Sequence, residues 1–148
     1  VITAESAGLV VGALLAMKIK PKYPIRFLQI SSFTLCFYMF SLAKPQSLLV
    51  VSICAFFFGI TLDLWGTLWY TALHRMVPRD ALSRVSSFDA MGALVFKPIG
   101  LAIAAPISLL IGIDNLIYIL IAISVLAISL PLLSADVRNM SYEDSPNN

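Results

Sequence analysis

Residues 47–73 read SLLVVSICAFFFGITLDLWGTLWYTAL, a long apolar run whose single charged residue is Asp63. A helix can cross the hydrocarbon core of a bilayer when about 20 consecutive residues are predominantly apolar. The run satisfies this requirement, so it predicts a membrane-spanning helix with one carboxyl group inside the membrane.

The composition of the whole chain agrees with this interpretation. Of its 148 residues, 59% are hydrophobic and 12% are charged, with a mean hydropathy of +0.92. Soluble domains are roughly 45–50% apolar and about 25% charged. These values predict a membrane protein whose surroundings are the lipid bilayer. The net charge of +2, without a basic cluster, argues against nucleic acid as a partner.

Five apolar runs separated by polar connections predict an all-α integral membrane fold with five transmembrane helices. The predicted spans are residues 1–17, 25–43, 47–73, 85–111 and 115–133. Residues 1–134 would form one helical bundle, and the polar residues 135–148 would form a disordered cytoplasmic tail. Because the chain opens on Val1 with a short first run, we expect it to be a piece of a longer protein.

The basic residues predict the orientation of the spans. If the five runs alternate in direction, most of the Lys and Arg residues fall on one side of the membrane: Lys18, Lys20, Lys22, Arg26, Arg75, Arg79, Arg84 and Arg138. Lys44 falls on the other side, and Lys97 lies within a span. Short loops rich in Lys and Arg remain in the cytoplasm. The carboxy terminus is therefore expected in the cytoplasm, and the protein in the cell membrane.

Asp63 and Lys97 are the charged residues expected deepest in the membrane. At about 1.5 Å per residue, they lie roughly 15 Å and 18 Å from the cytoplasmic ends of consecutive antiparallel spans. A charge at mid-bilayer costs about 2.5–3.5 kcal/mol, so such groups usually face a bundle interior or a wet cavity. The two side chains are expected to be able to pair. A substrate or proton path and a purely structural ion pair remain equally open.

A second charged group lies nearer the cytoplasmic surface. Asp89 is expected about 6 Å inside its span, where it would pair with a loop arginine or cap the helix start at Ser86-Ser87. Arg75, Arg79 and Arg84 in the adjoining loop are candidates for a gating element, or simply anchors on the cytoplasmic side.

Proline and glycine interrupt two of the apolar runs. Pro98 and Gly100 follow Lys97 directly, and such interruptions mark either a binding region or a packing kink. Gly8 and Gly12 form a GLVVG step that allows close approach of another helix. Cys36 and Cys54 lie in apolar runs without a CxxC pair, so no metal or cofactor is expected.

The connection after the third run carries a family resemblance. Gly59, Val77-Pro78, Arg84-Val85-Ser86-Ser87 and Pro98-Ile99-Gly100 together resemble the carboxy-terminal half of a major facilitator superfamily transporter, in particular its bacterial drug and macrolide efflux branch. The segment AGLVVGALLAMKIKPK resembles the eighth helix of that family and its basic turn. Lys97 departs from the pattern, since an apolar or small residue is expected at that position.

The resemblance implies five helices equivalent to helices 8–12 of the family. It also implies proton-coupled efflux of a small amphipathic molecule, and an amino-terminal half, in the same or another chain, as partner. Asp63, Lys97, Pro98 and Gly100 would then be candidates for the substrate or ion path.

Other functions remain open from sequence. One alternative is a non-transporting multi-pass membrane protein that associates with another membrane protein through small-residue faces such as Gly8/Gly12 or Gly92/Gly100. Another alternative is a truncated, non-functional remnant of a transporter. An intramembrane protease built on Asp63 and Asp89 lacks the accompanying motifs, so no enzymatic activity is expected.

Overall fold

The computed structural model describes residues 1–19, 21, 23–44 and 47–134. Every secondary-structure element in these residues is an α-helix, which confirms the predicted all-helical fold. The helices are α1 (Ile2–Ala16), α2 (Pro24–Ser31), α3 (Phe33–Ala43), α4 (Leu48–Met76), α5 (Arg79–Ile111) and α6 (Ile113–Leu133).

By length and composition, four stretches of helix could cross a membrane. They are Ile25–Ala43, Leu48–Arg75, Asp80–Ile111 and Ile113–Leu133. Helix α1 is apolar but has 15 residues, about 22 Å of helix, which is shorter than the roughly 30 Å hydrocarbon core. The described chain therefore contains four helices of spanning length and one shorter apolar helix. The predicted tail, residues 135–148, lies outside the described residues.

The second span consists of two helices that meet at Ser32. The hydroxyl groups of Ser31 and Ser32 both donate to the Leu28 carbonyl, at 2.9 and 2.8 Å, and the Leu35 amide donates to the Ser32 carbonyl at 3.1 Å. These local bonds satisfy backbone and side-chain groups where the regular ladder is interrupted. The span continues through the interruption without leaving these groups unbonded.

The helices of the third and fourth spans are longer than the apolar runs that predict them. The polar connection predicted at residues 74–84 shrinks to Val77 and Pro78, because α4 and α5 extend beyond their apolar runs. Helix α5 also continues through Pro98 and Pro106. A proline removes one hydrogen bond, while its φ near −65° remains compatible with a helix. At its far end, Gly112 adopts φ +84° and α6 starts at the next residue.

Helices α1 and α4 form the closest packing in the described structure. A Cβ atom on Gly8 would overlap the Phe56 carbonyl oxygen, and one on Gly12 would lie 2.6 Å from the Ile60 carbonyl oxygen. On the opposite side of the contact, a Cβ atom on Gly59 would overlap the carbonyl oxygen of Glu5. The order of these contacts shows that the two helices run parallel. We call Gly8, Gly12 and Gly59 the glycine crossing.

The second span joins α4 to α6. Tyr38 of α3 stacks on Phe58 of α4 with ring centroids 5.0 Å apart, and the Gln29 side chain of α2 donates to the Ile128 carbonyl of α6 at 3.2 Å. Helix α5 contacts α4 and α6 only lightly, and none of its apolar window is buried. In the described bundle, helices α1, α2, α3, α4 and α6 thus pack against one another, whereas α5 is largely exposed.

The glycine crossing predicts a position-specific effect of one methyl group. Gly59→Ala should destabilise the protein by about 1–3 kcal/mol, because the new Cβ atom meets backbone that cannot move without separating α1 from α4. Thermal unfolding in detergent would measure the change.

Gly66→Ala is the matched control on the same helix. A Cβ atom at Gly66 meets nothing within 4 Å, so this variant should be neutral or gain up to about 1 kcal/mol from helix propensity. Equal unfolding temperatures for the two variants would contradict the close contact between α1 and α4 at the glycine crossing.

Candidate functional site

Asp63 lies at the glycine crossing. Its Cβ atom is 3.0 Å from the position that a Cβ atom on Gly12 would occupy, so the residue is on the face of α4 that contacts α1. Its Oδ2 atom is buried and has no hydrogen-bond partner among the described residues. Because Gly12 has no side chain, the α1 backbone can lie close to Asp63, whose carboxyl group is inside the predicted membrane region.

An unsatisfied buried carboxyl oxygen is costly, and more so within a membrane. In its ionised form the group only accepts hydrogen bonds, whereas its protonated form can also donate one. A proton or a small cation would supply the missing interaction. The site can therefore hold a positive charge between two parallel helices.

The expected pairing of Asp63 with Lys97 was wrong. Asp63 faces α1, whereas Lys97 is exposed on α5, and no ion pair joins the two within the described chain. Equal depth did not bring them together, because the faces of α4 and α5 that carry them do not meet.

Asp89 has a different partner from the one expected. The Trp69 Nε1 atom donates to the Asp89 Oδ2 atom at 3.4 Å, and this bond joins α4 to α5. Helix α5 begins at Arg79, so Asp89 is an interior residue of the helix and does not cap it. Trp69 was missed as a site residue. Trp69 and Asp89 lie at similar distances along the chain from the Val77-Pro78 turn. On antiparallel helices, residues at similar distances from the connecting turn lie opposite one another, and this spacing could have indicated the pair.

The three candidate gating arginines belong to helices. Arg75 is exposed in the last turn of α4, and Arg84 is exposed in the second turn of α5. Arg79 begins α5, and its side chain lies outside what the structure describes. Arg84 and Ser87 line an open depression of about 290 Å³ together with Phe88 and Met91.

Pro98 and Gly100 are exposed on α5, and a Cβ atom on either Gly92 or Gly100 would meet nothing within 4 Å. Gly8 and Gly12, by contrast, already contact α4. Association with another protein through the Gly8/Gly12 face would therefore require displacement of α4.

A cavity of about 230 Å³ lies between α3 and α4, beside the Ser32 interruption. Phe58 and Trp65 provide its aromatic wall, and Thr61 lies between them. The Thr61 hydroxyl donates to the Phe57 carbonyl of its own helix at 3.1 Å. Sequence analysis missed this cavity, which lies on the face of α4 directed away from Asp63.

The fold and the site together define a class of protein, a helical protein with several apolar helices of a length and composition suited to a multi-pass position in a membrane. No family model matches the chain, and neither a curated protein nor a solved structure shows significant similarity to it.

The bond between Trp69 and Asp89 predicts a measurable coupling. Trp69→Phe should destabilise the protein by about 0.5–1.5 kcal/mol, the usual contribution of one hydrogen bond, and Asp89→Asn should remove part of the same energy. A double-mutant cycle from unfolding in detergent would measure the coupling between the two positions.

Trp65→Phe provides the control, because Trp65 stacks on Trp69 with ring centroids 5.4 Å apart and its indole N–H donates no bond described here. It should show no coupling to Asp89→Asn. Equal coupling from Trp65 and Trp69 would show that stacking, and not the hydrogen bond, connects the two helices.

Proposed function

We propose that this chain is part of a secondary active transporter that exports small amphipathic molecules across the cell membrane in exchange for protons. Its motif residues resemble those of the drug and macrolide efflux branch of the major facilitator superfamily, and this resemblance suggests the substrate class. The single observation that carries the proposal is the buried carboxyl oxygen of Asp63 at the glycine crossing, which has no hydrogen-bond partner among the described residues.

Three features support transport over a purely structural role. Ionisable side chains inside membrane helices are rare, and those that occur usually belong to ion pathways or binding sites. A structural carboxyl group would be expected to have a partner, and the Asp63 Oδ2 atom has none in the described chain. Helix α5 carries two prolines within its apolar stretch, a pattern typical of helices that line transport pathways.

The orientation belongs to the same proposal. With the predicted positive side in the cytoplasm, the α4–α5 turn and the carboxy terminus are cytoplasmic, and the α5–α6 turn at Gly112 is external. Helices α1 and α4 then both run inward, which agrees with their parallel contact.

The mechanism depends on the charge state of Asp63. When the carboxyl group is neutralised by a proton, α1 and α4 can remain in contact without burying an unpaired charge. After the proton leaves, the ionised group favours an arrangement in which water reaches it. Proton binding would thus shift the population between two arrangements of the helices, and substrate binding would shift it in the other direction.

A further helical bundle is part of this proposal. Transporters of this kind alternate access by movement of one repeat or bundle against the other around a central site. The amino-terminal half, in the same or another chain, would supply the second bundle and the remaining part of the substrate site.

Dye efflux tests the proposal directly. Cells without their own dye exporters would express the protein from its complete gene, and the steady-state gradient of ethidium across the membrane would be measured. One proton moving through 100 mV supplies about 2.3 kcal/mol, enough to hold internal ethidium roughly fortyfold below the level that it would reach passively at the same potential. The Asp63→Asn variant should lose the gradient while its amount in the membrane remains unchanged.

Asp114→Asn is the matched control, since Asp114 is exposed in the first turn of α6. It should sustain the same gradient as the unmodified protein. The proposal fails if Asp63→Asn exports dye as well as the control does, or if the unmodified protein sustains no gradient for ethidium or for a macrolide.

A further inference from the structure

Helix α5 carries an uncovered face around Lys97. Leu94 and Leu101 lie three residues before and four residues after Lys97, so the three side chains lie on one face of the helix. Leu94 is 74% exposed and Leu101 is 67% exposed, and Lys97 is exposed between them. We call these three residues the α5 face.

The charge of Lys97 has no counterpart in the described structure. The described carboxylates are those of Glu5, Asp63, Asp80, Asp89 and Asp114. Glu5 and Asp63 belong to the α1–α4 contact, and Asp114 is in the first turn of α6. Asp80 and Asp89 are on α5 itself, about 25 Å and 12 Å along the helix from Lys97 at the usual rise. No described carboxylate therefore lies where it could neutralise Lys97.

A second polar group lies in the same part of α5. Pro98 has no N–H, so the carbonyl oxygen of Leu94 lacks its usual helical donor. An ammonium group and a carbonyl oxygen without its usual helical donor thus occur within one turn, in the middle of an apolar helix. Lipid tails can interact favourably with the leucines but not with these two groups.

We propose that the α5 face binds a membrane-spanning helix that carries an aspartate or glutamate at the depth of Lys97. The two leucines would pack on either side of the ion pair, and the pair would fix the depth of the partner helix. This inference rests on the proposed function and makes it more specific, because the second bundle of the transporter would supply the helix.

The geometry favours this partner over a second copy of the chain. A symmetric contact between two α5 faces would bring two lysines together at mid-membrane, and like charges at short distance repel strongly where water is excluded. A helix with a carboxylate supplies an opposite charge at the same depth. Charge complementarity therefore selects an acidic partner.

Site-specific photocrosslinking tests the partner. A benzophenone amino acid would replace Leu94 or Leu101 in the protein expressed from its complete gene, and crosslinked peptides would be identified by mass spectrometry after irradiation of the membranes. Both positions should crosslink to an apolar helix that contains Asp or Glu in its middle. Leu130 of α6, which is 62% exposed, is the matched control position and should not crosslink to that helix.

Variants at Lys97 test the role of the charge. Lys97→Met should reduce the crosslink yield about tenfold, as expected for the loss of one strong polar contact between membrane helices, whereas Lys97→Arg should retain it. Exchange of the two charges, with Lys97→Asp and lysine at the identified carboxylate, should restore the yield. These measurements use crosslinking and not transport, so they separate failure of this inference from failure of the proposed function.

Three results would overturn the inference. Crosslinks to lipid alone would show that the α5 face is covered by lipid, so that Lys97 has to satisfy its charge without a partner helix. Crosslinks to a second copy of α5 would show self-association. If the Lys97→Met variant crosslinked to the same helix with the same yield as the unmodified protein, the contact would be apolar and independent of the charge.

Discussion

The backbone contact between α1 and α4 is the constraint on which the rest of the structure depends. Membrane helices do not gain hydrophobic stabilisation from contact with one another, so close packing of small residues has to hold them together. Gly8, Gly12 and Gly59 allow this packing, and the same contact places the Asp63 carboxyl group against α1. Stability and the candidate chemistry therefore have one structural origin, and a change that separates these helices affects both.

Sequence alone predicted the helical class and the approximate positions of the apolar runs, because the length and hydropathy of a spanning segment are local properties. It did not predict the pairing between runs. The rise per residue predicts similar depths for Asp63 and Lys97, but depth says nothing about rotation about the helix axis. Uniformly apolar helices such as α1 and α4 give little indication of which face is packed, and only glycine spacing showed the face of α1.

Polar side chains in the membrane region fall into two groups. Hydroxyl groups such as those of Ser32, Thr61 and Thr71 donate to carbonyl oxygens of their own helices, so they are satisfied without a tertiary partner. Asp63 and Lys97 cannot be satisfied in this way, because a full charge requires an opposite charge or water. The division explains why a hydroxyl-bearing residue in an apolar run says little about function, whereas a charged one is a candidate for a site or an interface.

The length of α5 has a mechanical consequence. Its 33 residues extend about 50 Å, whereas the hydrocarbon core is roughly 30 Å thick. If the helix spans the bilayer, about 20 Å of it projects beyond the core as a rigid lever that carries Arg84 and Ser87. A tilt of about 10° at the membrane would displace the free end by roughly 3 Å. Small rotations inside the bilayer would thus be amplified at the amino-terminal end of α5.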